Sequence, residues 1–188
     1  MLNFSKVDMM LYRITFIILL IVSFSFKVVA QTSEREYALK AGLIYNFALY
    51  SNNTLTSPEK VSNYTICSTS TTFVDIARKV LKNKRIRQHN VVIKDSSTSN
   101  IGSNECHIIF FDQPDLFSQY QNSHPTIASG IMLIGEIPNF IGLGGHINFI
   151  HLSGKVRFEI NPDRLKESDI KISSKVIRLG KIKKANDL

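Results

Sequence analysis

The chain has 188 residues, of which 44% are hydrophobic and 20% are charged. This length fits one domain of ordinary size, large enough to bury about two thirds of the surface that its unfolded chain exposes. No segment repeats at a period of about twenty to fifty residues, which excludes a solenoid. The 23 Lys and Arg residues outnumber the 15 Asp and Glu residues, so the net charge is +8.

The first thirty residues have the pattern of a secretory signal peptide. Arg13 precedes an apolar run, Ile14–Phe26, and Val28-Val29-Ala30 supplies the small residues of a cleavage site. A membrane-spanning helix needs about 20 apolar residues, whereas this run has thirteen, two of them serines. We therefore expect cleavage after Ala30 and export to the periplasm, with an uncleaved membrane anchor as the alternative. No cysteine lies near the cleavage point to carry a lipid.

Export changes the meaning of the positive charge. Removing residues 1–30 takes away Lys6, Arg13, Lys27 and Asp8, which leaves 158 residues with a net charge of +6. A periplasmic protein does not meet nucleic acid, so a basic surface has acidic protein surfaces or an anionic membrane face within reach. A solvated basic surface without a particular role is the alternative.

The chain has two cysteines, Cys67 and Cys106. An even number in an oxidising compartment favours a disulfide, and a loop of that length would stabilise the fold by about 4 kcal/mol. Cys67 ends one predicted strand and Cys106 begins another. In parallel strands, an offset or a loop excursion is needed to bring their Cα atoms within about 7 Å. Two buried free thiols are the alternative.

Helical and extended patterns alternate along the rest of the chain. Apolar residues recur at intervals of three and four from Ser33 to Tyr50, and Ser33 with Glu36 forms a capping box. In chain order, the patterns predict a helix over 33–50, a loop over 51–60, a strand over 64–68, a helix over 72–82, a strand over 86–94, a loop over 95–105, a strand over 106–111, a short helix over 112–122, a strand over 126–135, a connection over 138–145, a hairpin within 144–161, and helices over 162–168 and 173–184.

This order of elements predicts one domain, residues 31–188, of the α/β class. Strands that alternate with helices and end in a hairpin indicate a Rossmann-like sandwich with a mostly parallel central sheet. We expect helices on both faces of that sheet and an antiparallel hairpin near the C-terminus.

The hairpin sequence GGHINFIHLSGKVRFEIN gathers glycines, histidines and charges. Side chains two positions apart share one face of a strand. In the second strand, one face carries Val156, Phe158 and Ile160, and the other carries Lys155, Arg157, Glu159 and Asn161. We therefore predict that one side of the hairpin packs against the core, while the other side contacts solvent or a binding partner.

The five histidines do not form a metal-binding pattern. His146 and His151 differ in parity along the first hairpin strand, so they point to opposite faces. His89, His107 and His124 are scattered and lack the spacings of zinc sites. We expect structural or surface histidines and no metal.

Catalytic motifs are weakly supported. The run Gly142-Leu143-Gly144-Gly145 opens a strand, whereas phosphate-binding loops open a helix, so a tight turn is expected instead. Ser129-Gly130 is no nucleophile elbow. Glu136 and Glu159 are isolated carboxylates in the sequence. We therefore predict a non-enzymatic protein without a cofactor.

Four segments together resemble the YfiR family of exported bacterial proteins. They are KAGLIYNFALY at 40–50, CHIIFF at 106–111, GGHINFI at 144–150 and KVRFEINPDRLKESDIKISSKVIRL at 155–179. The resemblance spans nearly the whole chain after the predicted cleavage point and is strongest at the C-terminal end. It implies that Cys67 and Cys106 pair, since both occupy positions where cysteine is typical. A second pair found in some members has no counterpart, because Ile141 and Asn148 stand near its positions.

The resemblance also implies a periplasmic repressor. Members of this family bind the periplasmic sensor domain of an inner-membrane diguanylate cyclase and hold it inactive, which lowers cyclic di-GMP and restrains biofilm formation. The resemblance further implies that the protein forms a homodimer and that an outer-membrane lipoprotein can sequester it.

A repressor of this kind needs a docking surface, for which we select Ile147, Arg157, Glu159 and Leu165. In this hypothesis the two charges set the register and the two aliphatic residues supply burial. The alternative is that Ile147 and Leu165 are core residues. A second functional hypothesis is a small-molecule sensor, in which a cleft of the α/β domain binds an apolar or amphipathic ligand.

Overall fold

The computed structural model describes residues 12–13, 15–16, 33–52, 62–97, 105–125 and 129–184. The chain divides into two compact units, Met1–Tyr37 and Ala38–Leu188. The described residues of the first unit are helical, and the predicted cleavage point after Ala30 lies outside them. Within the described ranges, no helix has the length and apolar character needed to cross a membrane.

The longer helices and strands follow the order that the sequence predicts, whereas the two-residue strands at 51–52, 85–86, 171–172 and 181–182 were not predicted as separate elements. The helices are α1 (33–49), α2 (Thr71–Val80), α3 (Pro114–Ser123), α4 (Pro162–Glu167) and α5 (Ser174–Ile177). The strands are β1 (Ser51–Asn52), β2 (Asn63–Ser68), β3 (Arg85–Ile86), β4 (His89–Asp95), β5 (Ile108–Phe111), β6 (Met132–Gly135), β7 (Ile147–Leu152), β8 (Lys155–Ile160), β9 (Lys171–Ile172) and β10 (Lys181–Ile182). This architecture confirms the predicted α/β fold class.

A sheet of eight strands organises the second unit, in the order β10-β8-β7-β6-β5-β2-β4-β3. Strands β4, β2, β5, β6 and β7 are parallel to one another, and β10 is parallel to β8. The pairs β7–β8 and β3–β4 are antiparallel. The central strands β5 and β6 are buried along their whole length, as expected when helices cover both faces of a parallel sheet. Strands β1 and β9 form a separate two-stranded sheet.

Helices α1 and α2 cover one face of the large sheet. Phe47 of α1 packs against Phe149 and Phe158, with ring centroids 6.2 and 4.9 Å apart. Phe73 of α2 packs against Phe110 of β5 at 4.6 Å. Aromatic pairs in such geometries add stability beyond the area that they bury, so α1 holds the base of the hairpin against the core.

Helix α3 covers the opposite face. Its Phe117 and Tyr120 join a buried cluster with Phe111 and Phe140, and both cysteines belong to the same cluster. The prediction of helices on both faces is therefore confirmed.

Cys67 and Cys106 form a disulfide, which confirms the predicted pairing. Cys67 lies opposite Ile109 in the parallel ladder between β2 and β5. If β5 extended as a straight strand back to Cys106, that cysteine would lie too far along the strand from Cys67 to form a bridge. Residues 105–107 are a turn and a bend rather than a strand. This excursion brings the two Cα atoms to 5.8 Å, within bridging range.

The prediction of a helix over 173–184 is wrong for most of its length. Helix α5 ends after one turn, and the chain then forms β10 beside β8. At Gly180, a Cβ atom would collide with the ring of Phe158. The absence of a side chain therefore lets the segment approach β8 and pair with it.

Two predicted strands are also shorter than expected. The segment 86–94 contains the end of β3 and most of β4, with Arg87 at a φ of 54° between them. Of the strand predicted over 126–135, residues 126–128 lie outside the described residues, and the described part becomes a strand at Met132, after a turn in which Gly130 has a φ of 82°. The turn at Arg87-Gln88 lacks a strong turn signal, whereas Ser129-Gly130 is a turn signal that the surrounding apolar run outweighed in the prediction.

Candidate functional site

The β7–β8 hairpin is a regular antiparallel ribbon. All six pairs, from Ile147↔Ile160 to Leu152↔Lys155, are in register. The two loop residues, Ser153 and Gly154, have φ values of 52° and 70°. Positive φ at both central residues gives a turn whose twist matches that of the strands. The loop therefore holds the register, as the predicted tight turn requires.

The outer part of the hairpin extends past its neighbours in the sheet. Strand β6 pairs with β7 only at 147–148, and β10 pairs with β8 only at 159–160. The four pairs nearer the turn have no further strand beside them in the described part of the chain. The base of the hairpin is buried, whereas Leu152 near its tip is 62% exposed.

One face of this outer part combines apolar and cationic side chains. Residues directly opposite each other share a face, and Phe149 points towards α1. The alternate positions form two cross-strand pairs on the other face, Ile150–Arg157 and Leu152–Lys155. These four residues are called the hairpin face.

The cations of the hairpin face are available for a partner. Lys155 and Arg157 are exposed, and neither has an ion-pair partner among the residues that the structure describes. Leu152 stands beside them, and Ile150 is half-buried. An exposed apolar anchor beside charges on a rigid element is typical of a protein-binding surface.

Glu159 follows on the same face but lies deeper. Its side chain is buried, with Lys181 Nζ 3.8 Å and Lys183 Nζ 3.7 Å from its carboxylate oxygens. A buried charge that is paired within the protein connects elements of the fold and is poorly accessible to a binding partner. Glu159 therefore links β8 to β10, and its role in partner binding stays a prediction.

Ile147 and Leu165 lie in the core. Both side chains have 0% exposure, because Ile147 belongs to the inner base of β7 and Leu165 points inward from α4. This burial favours the alternative in which both are core residues. Of the four residues selected from the sequence, Arg157 alone is exposed, and the exposed apolar neighbour is Leu152 instead.

A buried lysine beneath the hairpin was missed by sequence reasoning. Lys40 on α1 is 1% exposed, and its Nζ lies 2.5 Å from Glu136 Oε2. The other carboxylate oxygen, Oε1, is 3.8 Å from Nδ1 of His151 on β7. Glu136 therefore lies between α1 and the hairpin. Lys40 precedes Ile44 by four residues, and Ile44 precedes Phe47 by three. This helical spacing places Lys40 on the buried face of α1, and it could have revealed the buried lysine from the sequence.

His146 and Ser168 form the most buried polar pair near the hairpin. The backbone N–H of Leu133 donates to Nδ1 of His146 at 2.8 Å, so the ring proton sits on Nε2 and is directed to Ser168 Oγ at 2.9 Å. Burial, helped by the charge of Arg164, lowers the pKa of His146 to about 3. A histidine that donates to a serine is not its general base, so this pair is structural.

The glycine run is a turn, as predicted. Residues 138–144 form consecutive turns, and Gly144 has a φ of 102°. A Cβ atom on Gly145 would enter the ring of Phe140. The run therefore serves close backbone approach to an aromatic core residue.

A groove of about 760 Å³ lies beside β2 and β4, away from the hairpin. Its lining mixes the apolar Val92 with charged side chains, among them Arg78, Lys94, Asp95 and Glu105. Lys94 and Glu105 form an ion pair at 2.7 Å across it. The groove is the structural feature that is relevant to the hypothesis of a small-molecule sensor.

The fold is an α/β domain whose β7–β8 hairpin extends past the neighbouring strands of the sheet. Residues 37–181 match the YfiR/HmsC-like family, and the chain belongs to that family. The match includes the whole sheet up to the first residue of β10, and therefore the whole hairpin. No curated protein matches the chain.

Proposed function

We propose that this chain is a periplasmic regulator that binds the periplasmic sensor domain of an inner-membrane diguanylate cyclase and represses it. Repression lowers cyclic di-GMP and biofilm formation. Membership of the YfiR/HmsC-like family supports the class of function, and the hairpin face is the observation that carries the docking role. The protein acts as a homodimer, and an outer-membrane lipoprotein that sequesters it releases the cyclase.

Binding alone is sufficient for this activity. A repressor that prefers the inactive conformation of its target by about 3 kcal/mol shifts the population more than a hundredfold. Burial of one exposed leucine contributes about 2 kcal/mol. Leu152 together with the two cations of the hairpin face is of the right order to supply that preference if the inactive conformation alone presents the complementary surface.

The experiment measures binding of the exported protein to the periplasmic sensor domain of each inner-membrane diguanylate cyclase of the same organism. Leu152→Ser and Arg157→Gln should each weaken binding about tenfold, and cyclic di-GMP should rise in cells that carry them. Val80→Ser and Lys79→Gln are matched controls, since both residues are exposed on or near the C-terminal turn of α2. Equal loss in the controls, or unchanged binding in the hairpin variants, would refute the docking role.

The groove beside β2 and β4 favours a second candidate function, a small-molecule sensor module without a cyclase partner. Its mixture of an exposed valine with charged residues suits an amphipathic ligand. A melting screen tests this, because a ligand that binds only the folded state raises the melting temperature. Val92→Trp would narrow the groove and should abolish any such shift while leaving cyclase binding intact.

A further inference from the structure

The last described segment of the chain is cationic and contains no acid. Residues 171–184 include no Asp or Glu and six cations, which are Lys171, Lys175, Arg178, Lys181, Lys183 and Lys184. Lys181 and Lys183 face Glu159. Lys175 and Arg178 are exposed and have no ion-pair partner within the described ranges. The segment thus presents one sign of charge.

Two large apolar side chains stand between these cations. Leu179 is 75% exposed and Ile182 is 56% exposed. The backbone imposes this display, because Leu179 N–H donates to the carbonyl of Val176 at 3.0 Å and Gly180 lies directly against the ring of Phe158. Leu179 is therefore held outward at a fixed position.

We propose that this surface binds an anionic phospholipid membrane. It comprises Lys175, Arg178, Leu179 and Lys181 and is called the C-terminal edge. Surface binding to anionic lipid combines buried apolar area with electrostatic attraction to the headgroups. The segment supplies exposed apolar side chains and six cations, two of which also face Glu159. Surfaces that bind a protein usually carry charges of both signs, which set the register of the complex. This segment carries positive charge only, which complements the phosphate groups of a membrane surface.

Membrane binding is independent of the cyclase. It keeps the protein at the surface in which the proposed partner is embedded, so it raises the local concentration for docking. The hairpin face and the C-terminal edge use different side chains and can therefore be separated by mutation.

The test is flotation of the exported protein, recovered from periplasmic extract, with lipid vesicles. Its intact mass establishes where the chain begins. We expect binding to vesicles of phosphatidylethanolamine with phosphatidylglycerol, loss of binding at high salt, and no binding to neutral phosphatidylcholine. The double variant Lys175→Gln, Arg178→Gln should lower vesicle affinity about 25-fold, at about fivefold per cation. Leu179→Ser should lower it about tenfold.

The matched control is the double variant Lys79→Gln, Lys82→Gln, which removes the same charge from exposed positions near the opposite edge of the sheet. All replaced side chains are exposed, so the melting temperatures should agree. Absence of binding to anionic vesicles, or an equal loss in the control, overturns the proposal. So does unchanged vesicle binding in C-terminal edge variants that weaken cyclase binding, because that result would make the edge a protein interface.

Discussion

Acid should destabilise this protein through His146. The ordinary pKa of 6.5 falls to about 3 in the fold, first because the ring is buried and second because Arg164 carries a positive charge nearby. Between these values the unfolded chain binds a proton on His146 that the folded chain does not bind. Stability from the neutral ring is therefore complete above pH 6.5 and is lost as the pH falls towards 3.

The magnitude follows from the width of that window. One proton bound only by the unfolded state costs about 1.4 kcal/mol per pH unit. At pH 5 the loss is about 2 kcal/mol relative to pH 7, or about 6 °C in the melting temperature of a domain of this size. Carboxylates titrate as well, so the test needs a difference between variants.

The measurement is urea unfolding of the wild type and of His146→Asn at pH 7 and pH 5. Asparagine retains an acceptor for the Leu133 N–H but does not titrate. The variant should be less stable at pH 7, yet lose about 2 kcal/mol less than the wild type on acidification. The control His124→Asn replaces a half-buried histidine at the end of α3 that has no carboxylate partner among the described residues, and it should retain the wild-type difference. Identical pH dependence in His146→Asn and the wild type would refute the assignment.

Three further changes test the fold. Replacing Cys67 and Cys106 with alanine should cost about 4 kcal/mol for the 39-residue separation, and reductant should then leave the melting temperature of that variant unchanged. Gly145→Ala should cost about 2–3 kcal/mol, because its Cβ enters the buried ring of Phe140; a neutral melt would show that the ring can move. Glu159→Lys adds a cation against two lysines and should lower the free energy of unfolding by about 3 kcal/mol in urea titrations. An unchanged value would show that these ion pairs contribute nothing.

The elements that sequence reasoning predicted well are those with a single dominant period. The helix over 33–50 repeats at three and four, and runs such as Ile108–Phe111 are uniformly apolar, so the parallel sheet follows. The C-terminal segment was predicted wrongly because its local pattern suits a helix. Gly180 is a local signal for the end of a helix, but the contact with Phe158 that turns the following residues into β10 is tertiary.

The candidate site was predicted less completely than the fold. Parity separates the two faces of the hairpin, and the exposed Arg157 agrees with it. Parity does not reveal how far along the ribbon the core extends. Asn148 and Leu152 lie on the same face of β7, yet Asn148 is buried and Leu152 is largely exposed, because β6 and β10 pair only with the base of the hairpin.

The position of the absent second cysteine pair bears on how this protein could be regulated. Ile141 is buried there, and the Asn148 side chain accepts a hydrogen bond from the Ile137 N–H at 3.1 Å. That bond ties β7 to the loop after β6, where a disulfide would make a similar connection, but it does not respond to oxidants. The single disulfide present lies inside the core beneath α3. Regulation through exposed surfaces, the hairpin face and the C-terminal edge, therefore requires less disruption of the fold than regulation through thiols.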